Sequence, residues 1–401
     1  MSDGKGQTLP VKEQRERRIG MDFSWTEEQL AFRDQIIDLA QHELNDDLMQ
    51  RDAESSFSHE SWKRCASLGI QGLPVPEEYG GSGTDPLTIM LCMEALGYGC
   101  RDNGLIFSIS AQMWSCEIPI VKFGTDEQKR RYLPGLSDGS LVGVQAMTEP
   151  GSGSDAYGLS TSAVKRGSIY VLNGEKTFIT NAPIADIFIV FASTDHRKGF
   201  GALSAFIVER ESPGLTVGRP FHKMGLRTSP MSSVAFVDCE VPEESLVARP
   251  GAGMAIFNSS MEWERSCILA SAIGTMQRQL EGCISYAQER RQFGQAIGKF
   301  QGVSHKIVDM RLRLETARLL LYQQGWRKSQ GQSSPIEAAM VKLYISECFL
   351  QSSLDAVQIH GGYGYMSESE LERDIRDAIG SRIYSGTSEI QRNIVASYMG
   401  L

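Results

Sequence analysis

Hydrophobic residues in the first third of the chain recur at the spacing of an α-helix. Thr26 and Gln29 have the pattern of a capping box, in which each side chain bonds the backbone N–H of the other residue. Apolar residues follow this pair at helical spacing: Leu30, Ile36, Ile37 and Ala40. The pattern predicts helices from residue 26 to about residue 138.

From about residue 141 to residue 242 the pattern becomes that of β-strands. Short runs of β-branched and aromatic residues, at 169–171, 187–190 and 205–208, are separated by Gly, Asn and Pro. The helical period returns at Gly253. One apolar stripe then steps by three and four residues through Val303, Ile307, Met310, Leu314, Ala317 and Leu321. We interpret this stripe as the core of a helix bundle or as a subunit interface.

This order of elements predicts an α+β protein with three domains. We expect N-terminal helices over residues 21–140, a small β domain over residues 141–248 and long helices over residues 249–401. Residues 1–20 are polar and free of aromatic side chains, and we interpret them as a disordered extension. No Gly-x-Gly-x-x-Gly motif leads from a strand into a helix, so we expect any nucleotide cofactor to be held in another way.

Composition and charge exclude several classes of function. The chain has 401 residues, of which 41% are hydrophobic and 22% are charged, as in ordinary globular proteins. Its formal net charge of -9 argues against a nucleic-acid-binding protein, because such a surface is basic. No apolar run approaches the ~20 residues of a membrane span. Eight scattered cysteines predict buried free thiols in a reducing cytoplasm, and six histidines without ligand spacing predict no metal site.

Five motifs, in a fixed order, carry the candidate chemistry. They are TEPGSGSD (148–155), FITN (178–181), QERRQFG (288–294), QIHGG (358–362) and SGT (385–387). The first alone would be read as a Gly/Ser-rich turn, but together the five resemble the acyl-CoA dehydrogenase flavoproteins over residues 21–401. The resemblance implies an α+β fold with a middle β-barrel domain and a C-terminal four-helix bundle. It also implies FAD as cofactor and oxidation of an acyl thioester.

The resemblance assigns the cofactor contacts residue by residue. It implies that the flavin ring is held by Met147, Thr148, Gly153 and Ser154 and is flanked by Phe178 and Thr180. It implies that the pyrophosphate and adenosine half is held by Arg290, Phe293 and Gln301, typically of a neighbouring subunit, and by Gln358, Gly361 and Gly362. It places Thr387 and Glu389 where the site closes. Arg290 can also be read as a solvated helix charge, but a diphosphate requires a cation.

One position departs from the resemblance. These enzymes usually have Glu before Gly-Thr, as the base that removes the proton next to the thioester carbonyl, and this chain has Ser385. A serine hydroxyl is too weak a base for that step unless a neighbour activates it. The base must therefore lie elsewhere, or the chain is a catalytically silent scaffold.

Glu264 is the candidate base. It shares a helical face with Met261 and Ile268, and none of the residues three or four positions away is basic. Burial disfavours the charged form of a carboxyl, which suits a general base that works near neutral pH. Some branches of the family likewise keep the base in a Glu-Arg pair on this helix, which Glu264-Arg265 matches. A salt bridge to another helix is the alternative for Glu264, whereas Glu262 is expected to pair with Arg265 at the surface.

Two stretches, 93–105 and 179–186, resemble the prolyl-carrier-protein dehydrogenases and oxidases of pyrrole and anatoxin-type biosynthesis. This branch implies a prolyl thioester on the phosphopantetheine of an acyl or peptidyl carrier protein. Glu264 would remove the α-proton, with hydride transfer to flavin N5, and give a pyrroline or pyrrole thioester. The resemblance also implies a cytoplasmic homotetramer that binds neither nucleic acid nor membrane. The predicted substrate pocket contains Phe107, Met113, Trp114, Ser385 and Arg265, although ordinary core packing explains the bulky residues equally well.

Two other functions stay open from the sequence. One is a short- or branched-chain acyl-CoA dehydrogenase with the same relocated base, which would make an enoyl-CoA. The other is the silent flavin-fold scaffold, whose one support is Ser385. The electron acceptor, which is oxygen or an electron-transfer flavoprotein, also stays open.

Overall fold

The computed structural model describes residues 24–195 and 201–401. The extension predicted for residues 1–20 lies outside the described residues. The predicted capping box is present at the start of the first helix. The N–H of Gln29 donates to Thr26 Oγ1 at 3.2 Å, and the N–H of Thr26 donates to Gln29 Oε1 at 2.9 Å.

The N-terminal region is helical, as predicted. Its helices are α1 (Glu27–Glu43), α2 (Leu48–Glu54), α3 (His59–Ser67), α4 (Pro86–Gly99), α5 (Asn103–Gln112), α6 (Ile118–Phe123) and α7 (Asp126–Ser137). A turn of π-helix, Met113–Glu117, joins α5 to α6. Such a turn inserts an extra residue into the helical period, so the side chains that follow it are rotated relative to α5.

The stretch Asn103–Phe123 is the one helical stretch within the described residues that is long and apolar enough to cross a membrane by length and composition alone. It is not an uninterrupted apolar run, because polar residues and the ionisable Glu117 and Lys122 interrupt it, so the expectation from the sequence stands. In the structure, 89% of its apolar window is buried against other helices and the sheet, so it is a core helix of the fold.

The middle region is a sheet that curls into a half-barrel. Its strands are β1 (Gly143–Ala146), β2 (Ser162–Arg166), β3 (Ile169–Thr180), β4 (Ile187–Ser193), β5 (Leu203–Glu209), β6 (Leu215–Val217) and β7 (Met231–Pro242). Their order is β1-β4-β2-β3-β7-β6, and β5 pairs with β4. The three runs predicted as strands lie in β3, β4 and β5. Every residue of β4 is buried, because helices or strands cover both of its faces.

The C-terminal region is helical again. Its helices are α8 (Gly253–Cys267), α9 (Ala270–Glu289), α10 (Gln301–Ser329), α11 (Pro335–His360), α12 (Leu371–Ser381) and α13 (Ser388–Tyr398). A short hairpin, β8 (Arg291–Gln292) and β9 (Gln295–Ala296), precedes α10. The predicted α10 stripe faces the core, where Met310, Leu314 and Leu321 are almost completely buried with residues of α4, α9 and α11. The chain therefore has the predicted α+β fold.

All eight cysteines are buried and free, as predicted. Burial raises the pKa of the Cys92, Cys100, Cys267 and Cys283 thiols to about 12. These thiols stay protonated near neutral pH, so they behave as small apolar side chains of the core.

Candidate active site

Glu264 lies on α8 with only 8% of its surface exposed, and its carboxylate meets two hydroxyl groups. Ser115 Oγ donates to Glu264 Oε2 at 2.6 Å, and Ser385 Oγ donates to Glu264 Oε1. Among the described residues, no Lys, Arg or His forms an ion pair with this carboxylate. Three segments that are far apart in sequence therefore converge on one carboxyl, and the salt bridge considered as an alternative for Glu264 is not formed within the described chain.

The two hydroxyls reach Glu264 from unusual backbone. Ser115 belongs to the π-helical turn Met113–Glu117, which directs it towards α8. Ser385 has φ 57° and Gly386 has φ 91°, so two successive residues adopt the left-handed conformation. Glycine adopts that conformation readily, but a residue with a Cβ atom does so at a cost in free energy. Both features lie next to the carboxyl, which is where functional sites often keep strained or irregular backbone.

Polar side chains of three helices hold the turn that contains Ser385. Its carbonyl accepts from Arg265 Nε at 3.1 Å and from Gln391 Nε2 at 3.0 Å. The carbonyl of Gly386 accepts from Lys342 Nζ at 2.7 Å and from Gln391 Nε2 at 2.8 Å. The orientation of the Ser385 hydroxyl is therefore fixed by donors from α8, α11 and α13.

The predicted pairing of Glu262 with Arg265 is wrong. Glu262 Oε1 accepts from Lys328 Nζ at 2.8 Å and from Ser333 Oγ at 2.7 Å. The Arg265 side chain instead donates to the Ser385 carbonyl, because it lies on the side of α8 that faces the turn. Spacing along one helix cannot reveal a cation that arrives from another helix.

The residues predicted for the substrate pocket separate into two groups. The ring of Phe107 packs against Tyr384, with ring centroids 4.5 Å apart, and so lies beside the Ser385 turn. Met113 and Trp114 are completely buried, and Trp114 stacks on Trp263 at 6.0 Å. The structure thus brings Phe107, together with Ser385 and Arg265, to the surroundings of Glu264. Met113 and Trp114 are packed in the core, in the same π-helical turn as Ser115, which bonds Glu264.

A buried ion pair lies between the TEPGSGSD loop and β3. Glu149 accepts from Lys176 Nζ at 2.8 Å, from Ser160 Oγ at 2.6 Å and from the N–H of Thr161 at 3.0 Å. Lys176 Nζ also donates to the carbonyl of Met147 at 3.1 Å. Although burial opposes ionisation, these donors lower the pKa of Glu149 to about 2. The loop is therefore anchored to β3 by a charged carboxylate with several hydrogen bonds.

The part of the same loop around Gly153 and Ser154 is open to its surroundings. A Cβ atom added to Gly153 would meet no other atom within 4 Å, and Ser154 is exposed. The carbonyl of Thr148 is tied to β3 by the N–H of Thr177 at 2.8 Å. The loop thus presents small, exposed residues, among them Ser154, to the space outside it. This arrangement lets a planar ligand approach the backbone closely.

Phe178 and Thr180 lie at the end of β3, where the pairing with β7 shifts register. Phe178 has φ 57° and is 63% exposed, and its ring packs against Phe221 with centroids 5.7 Å apart. Asn181 turns inward, and its Nδ2 donates to the carbonyl of Ser108 at 2.9 Å. The end of β3 is thus fixed by Asn181 while an aromatic ring projects outward beside it.

A cavity of about 540 Å³ lies at the ends of α9 and α11. It is lined by Arg290 at the end of α9 and by Gly361 and Gly362 after α11. The Arg290 guanidinium lies over the ring of Tyr363, 5.7 Å from its centroid. A Cβ atom at either glycine would meet nothing within 4 Å, so a ligand can approach the backbone closely there, while the N–H of Gly361 itself caps α11 by donating to the carbonyls of Val357 and Gln358. A cation beside open glycine backbone has the chemistry that binds a diphosphate.

Four of the remaining residues predicted for the cofactor face outward, whereas Met147 is buried and Thr387 is half-buried. Phe293 is 92% exposed with φ 50°, and Gln301 and Gln358 are exposed on α10 and α11. Thr387 caps α13, where its Oγ1 accepts from the N–H of Ile390 at 3.3 Å, and Glu389 is exposed in the first turn. One chain therefore presents these side chains to its surroundings and does not gather them around a single cavity.

Sequence reasoning missed three residues of the site: Ser115, Lys342 and Gln391. The π-helical turn changes the phase of the helix before Ser115, so regular spacing could not place it opposite Glu264. Lys342 and Gln391 reach the turn from α11 and α13. A lysine within the apolar sequence of α11 is the one local signal that could have identified Lys342.

Comparison with known proteins agrees with this architecture. Models of the acyl-CoA dehydrogenase N-terminal, middle and C-terminal domains match residues 26–140, 144–239 and 251–400. The chain is 43% identical to an L-prolyl-[peptidyl-carrier protein] dehydrogenase of Serratia sp. (strain ATCC 39006), covering 95% of this chain and 99% of that protein.

Two solved structures are also similar. The prolyl acyl carrier protein oxidase AnaB is 49% identical with a TM-score of 0.93, covering 94% of this chain and 100% of that chain. PigA, solved with FAD and proline, is 43% identical with a TM-score of 0.93, covering 95% and 100%. The fold, the order of the motifs and these similarities lead to one conclusion: the chain belongs to the acyl-CoA dehydrogenase family.

Proposed function

We propose that this protein is an FAD-dependent enzyme that oxidises a prolyl thioester carried on the phosphopantetheine arm of a carrier protein. The observation that carries this proposal is the contact between Glu264 and Ser385. Ser385 stands where the resemblance places a catalytic Glu, and the Glu264 carboxylate reaches that same point from α8. The similarity to proteins named as prolyl-carrier-protein dehydrogenase and oxidase supports the substrate class.

The described residues have the chemistry that FAD requires. Gly153 and Ser154 offer an open, donor-rich surface for the flavin ring, with Phe178 beside it. Arg290 offers charge-assisted hydrogen bonds for the diphosphate, beside the open backbone at Gly361 and Gly362. PigA, which shares the fold along its whole length, binds FAD together with proline. Bound FAD supplies the acceptor for the hydride equivalent that leaves the substrate.

The protein's own residues supply the acid–base step. Glu264 removes the proton next to the thioester carbonyl, which is acidified by that carbonyl. Ser115 and Ser385 fix the orientation of the carboxylate, one at each oxygen. Each carboxylate oxygen has a second lone pair, so the base accepts a proton without losing both hydrogen bonds. Because Glu264 is buried, bulk water competes little for this proton.

The proposal includes a homotetramer in the cytoplasm. Exposed apolar side chains on α10 support self-association, since Val308, Leu312 and Leu319 face away from the core. The exposed Phe293 next to α10 supports a contribution to a neighbouring subunit's cofactor site. The eight buried free thiols are typical of a reducing compartment.

A comparison of substrates tests the proposed function. The FAD-loaded protein is expected to turn over a prolyl-carrier protein and to leave butyryl-CoA and isovaleryl-CoA almost unchanged, as followed by mass spectrometry of the acyl thioester. A free carrier protein without proline serves as control. Turnover of the acyl-CoA thioesters alone would contradict the proposal in favour of a short- or branched-chain acyl-CoA dehydrogenase. A flavin that no thioester reduces would favour the silent scaffold.

Arg290→Gln tests the assignment of the diphosphate cavity. A hydrogen bond to a charged group contributes roughly 1.5–3 kcal/mol, so the Kd for FAD is expected to rise about 10- to 100-fold. The measurement is FAD titration of the apoprotein by flavin fluorescence. Arg291→Gln is the matched control, because Arg291 is the adjacent exposed arginine and does not line the described cavity. Equal affinities of the two variants would remove Arg290 from the site.

A further inference from the structure

The turn that contains Ser385 requires external support. Ser385 and Gly386 are both left-handed, and for Ser385 this conformation costs free energy in an isolated chain. The turn keeps this geometry only if its surroundings stabilise it. Its two carbonyls, those of Ser385 and Gly386, are the groups through which that support acts.

Lys342 makes the shortest of the contacts to these carbonyls. Its Nζ donates to the Gly386 carbonyl at 2.7 Å, whereas Arg265 and Gln391 bond the Ser385 carbonyl at 3.1 Å and 3.0 Å. The Lys342 ammonium also lies 5.9 Å from the centre of the Tyr384 ring. Lys342 therefore contacts the residues on both sides of Ser385.

A lysine at position 342 is energetically unfavourable. It lies on α11 with none of its surface exposed, and among the described residues no carboxylate forms an ion pair with it. An ammonium that is buried without a counter-ion is destabilising, and an apolar side chain of similar length would pack there more favourably. Core packing alone therefore does not account for a lysine on this face of α11.

We propose that Lys342 is a positioning residue, which holds the Ser385–Gly386 turn so that the Ser385 hydroxyl bonds the Glu264 carboxylate. This inference rests on the proposed function of Glu264 as the base. Lys342 forms no hydrogen bond with Glu264 among the described contacts, and its hydrogen bond is to the Gly386 carbonyl. Its effect passes through the Gly386 carbonyl to the backbone of Ser385.

Charged groups surround Lys342 on several elements. Glu264 and Arg265 face it from α8, Glu347 lies on its own helix and Glu389 faces it from α13. Burial, together with the positive charge of Arg265, lowers the pKa of Lys342 to about 7. As the pH rises through this value, Lys342 loses its charge and becomes a weaker donor to the carbonyl. The rate of the chemical step is therefore expected to fall over this range in the wild-type enzyme.

Lys342→Met in the FAD-loaded enzyme tests the inference with the prolyl-carrier protein as substrate. The loss of one charge-assisted hydrogen bond is expected to lower kcat about 10- to 100-fold, with KM almost unchanged. The flavin content should equal that of the wild type, and the fall of kcat near pH 7 should be absent. Lys342→Gln keeps a neutral donor, so it should recover part of kcat without restoring the pH step.

Lys223→Met is the control, because Lys223 is half-buried and its Nζ likewise donates to two loop carbonyls, those of Leu226 and Ser229. It should lower stability and leave kcat per bound flavin unchanged. A wild-type kcat and pH profile in Lys342→Met, while Glu264→Gln is inactive, would overturn this inference and leave the proposed base in place. A loss of flavin and stability with unchanged kcat per bound flavin would also overturn it. Full activity in both variants would overturn the proposed base itself.

Discussion

Glu264→Gln is expected to lower kcat for the prolyl thioester by roughly 10²- to 10⁴-fold, the contribution of a general base. The amide has the size of the carboxyl and still accepts a hydrogen bond from one of the two serines, Ser115 or Ser385. It cannot take the α-proton, so the chemical step fails while the fold and the cofactor remain. The measurement is steady-state turnover per bound flavin, with flavin content and melting temperature recorded for both proteins.

The control for this variant is Glu262→Gln, two residues earlier on the same helix. Glu262 pairs with Lys328 and Ser333 and does not contact Ser385. The substitution removes an ion pair, so a lower melting temperature is expected while kcat per bound flavin stays near the wild-type value. Wild-type turnover in Glu264→Gln would show that another group removes the proton.

Lys176→Met is expected to produce the largest loss of stability, about 3–5 kcal/mol, because it breaks a buried ion pair by removing one partner. Glu149 would remain buried as a carboxylate with its bonds to Ser160 and Thr161 and without a counter-charge. The loop carbonyl of Met147 would lose its donor as well. We therefore expect lower flavin content in the purified protein. We also expect a lower free energy of unfolding, measured by urea denaturation of apo and FAD-loaded protein.

Lys165→Met serves as the control for Lys176→Met. Lys165 pairs with Glu243 on the neighbouring surface of the same domain, where both side chains are about half exposed. Solvent screens an exposed pair of this kind, so this variant should unfold almost as the wild type does. Similar losses in the two variants would mean that burial of the Glu149–Lys176 pair has no special effect on the domain.

The features that sequence reasoning predicted correctly depend on local order. The capping box at Thr26, the strands at β3 to β5 and the buried face of α10 each follow from spacing within one element. The burial of Glu264 follows in the same way, because Met261 and its apolar neighbours repeat with the period of α8. Such patterns are visible in the sequence, since they reflect the geometry of a single helix or strand.

The features that sequence reasoning missed depend on contacts between distant segments. Glu262 binds Lys328, 66 residues away, and not the nearby Arg265. Lys176 on β3 donates to Glu149 in the TEPGSGSD loop, and Lys342 on α11 donates to the Gly386 carbonyl. Ser115 was hidden for a different reason, because the π-helical turn shifts its direction. Periodicity has no information on which helices become neighbours, so these partners appear only in the folded chain.

The residues predicted to hold the cofactor fall into two groups within one chain: some line one cavity and others face outward. Arg290, Gly361 and Gly362 meet around one cavity, as the shared diphosphate role requires. Phe293 and Gln301 face outward from the same chain. The exposure of Phe293 and Gln301 agrees with the proposed homotetramer, in which these side chains would serve a neighbouring subunit, as the resemblance also implies for Arg290.

Removal of the α-proton by Glu264 can be observed by anaerobic rapid mixing of the FAD-loaded protein with a prolyl-carrier protein whose α-hydrogen is deuterium. We expect loss of the oxidised flavin absorbance in the wild type, slower with deuterium than with hydrogen, and almost no loss in Glu264→Gln. Equally fast flavin reduction in wild type and Glu264→Gln would show that Glu264 is not the base.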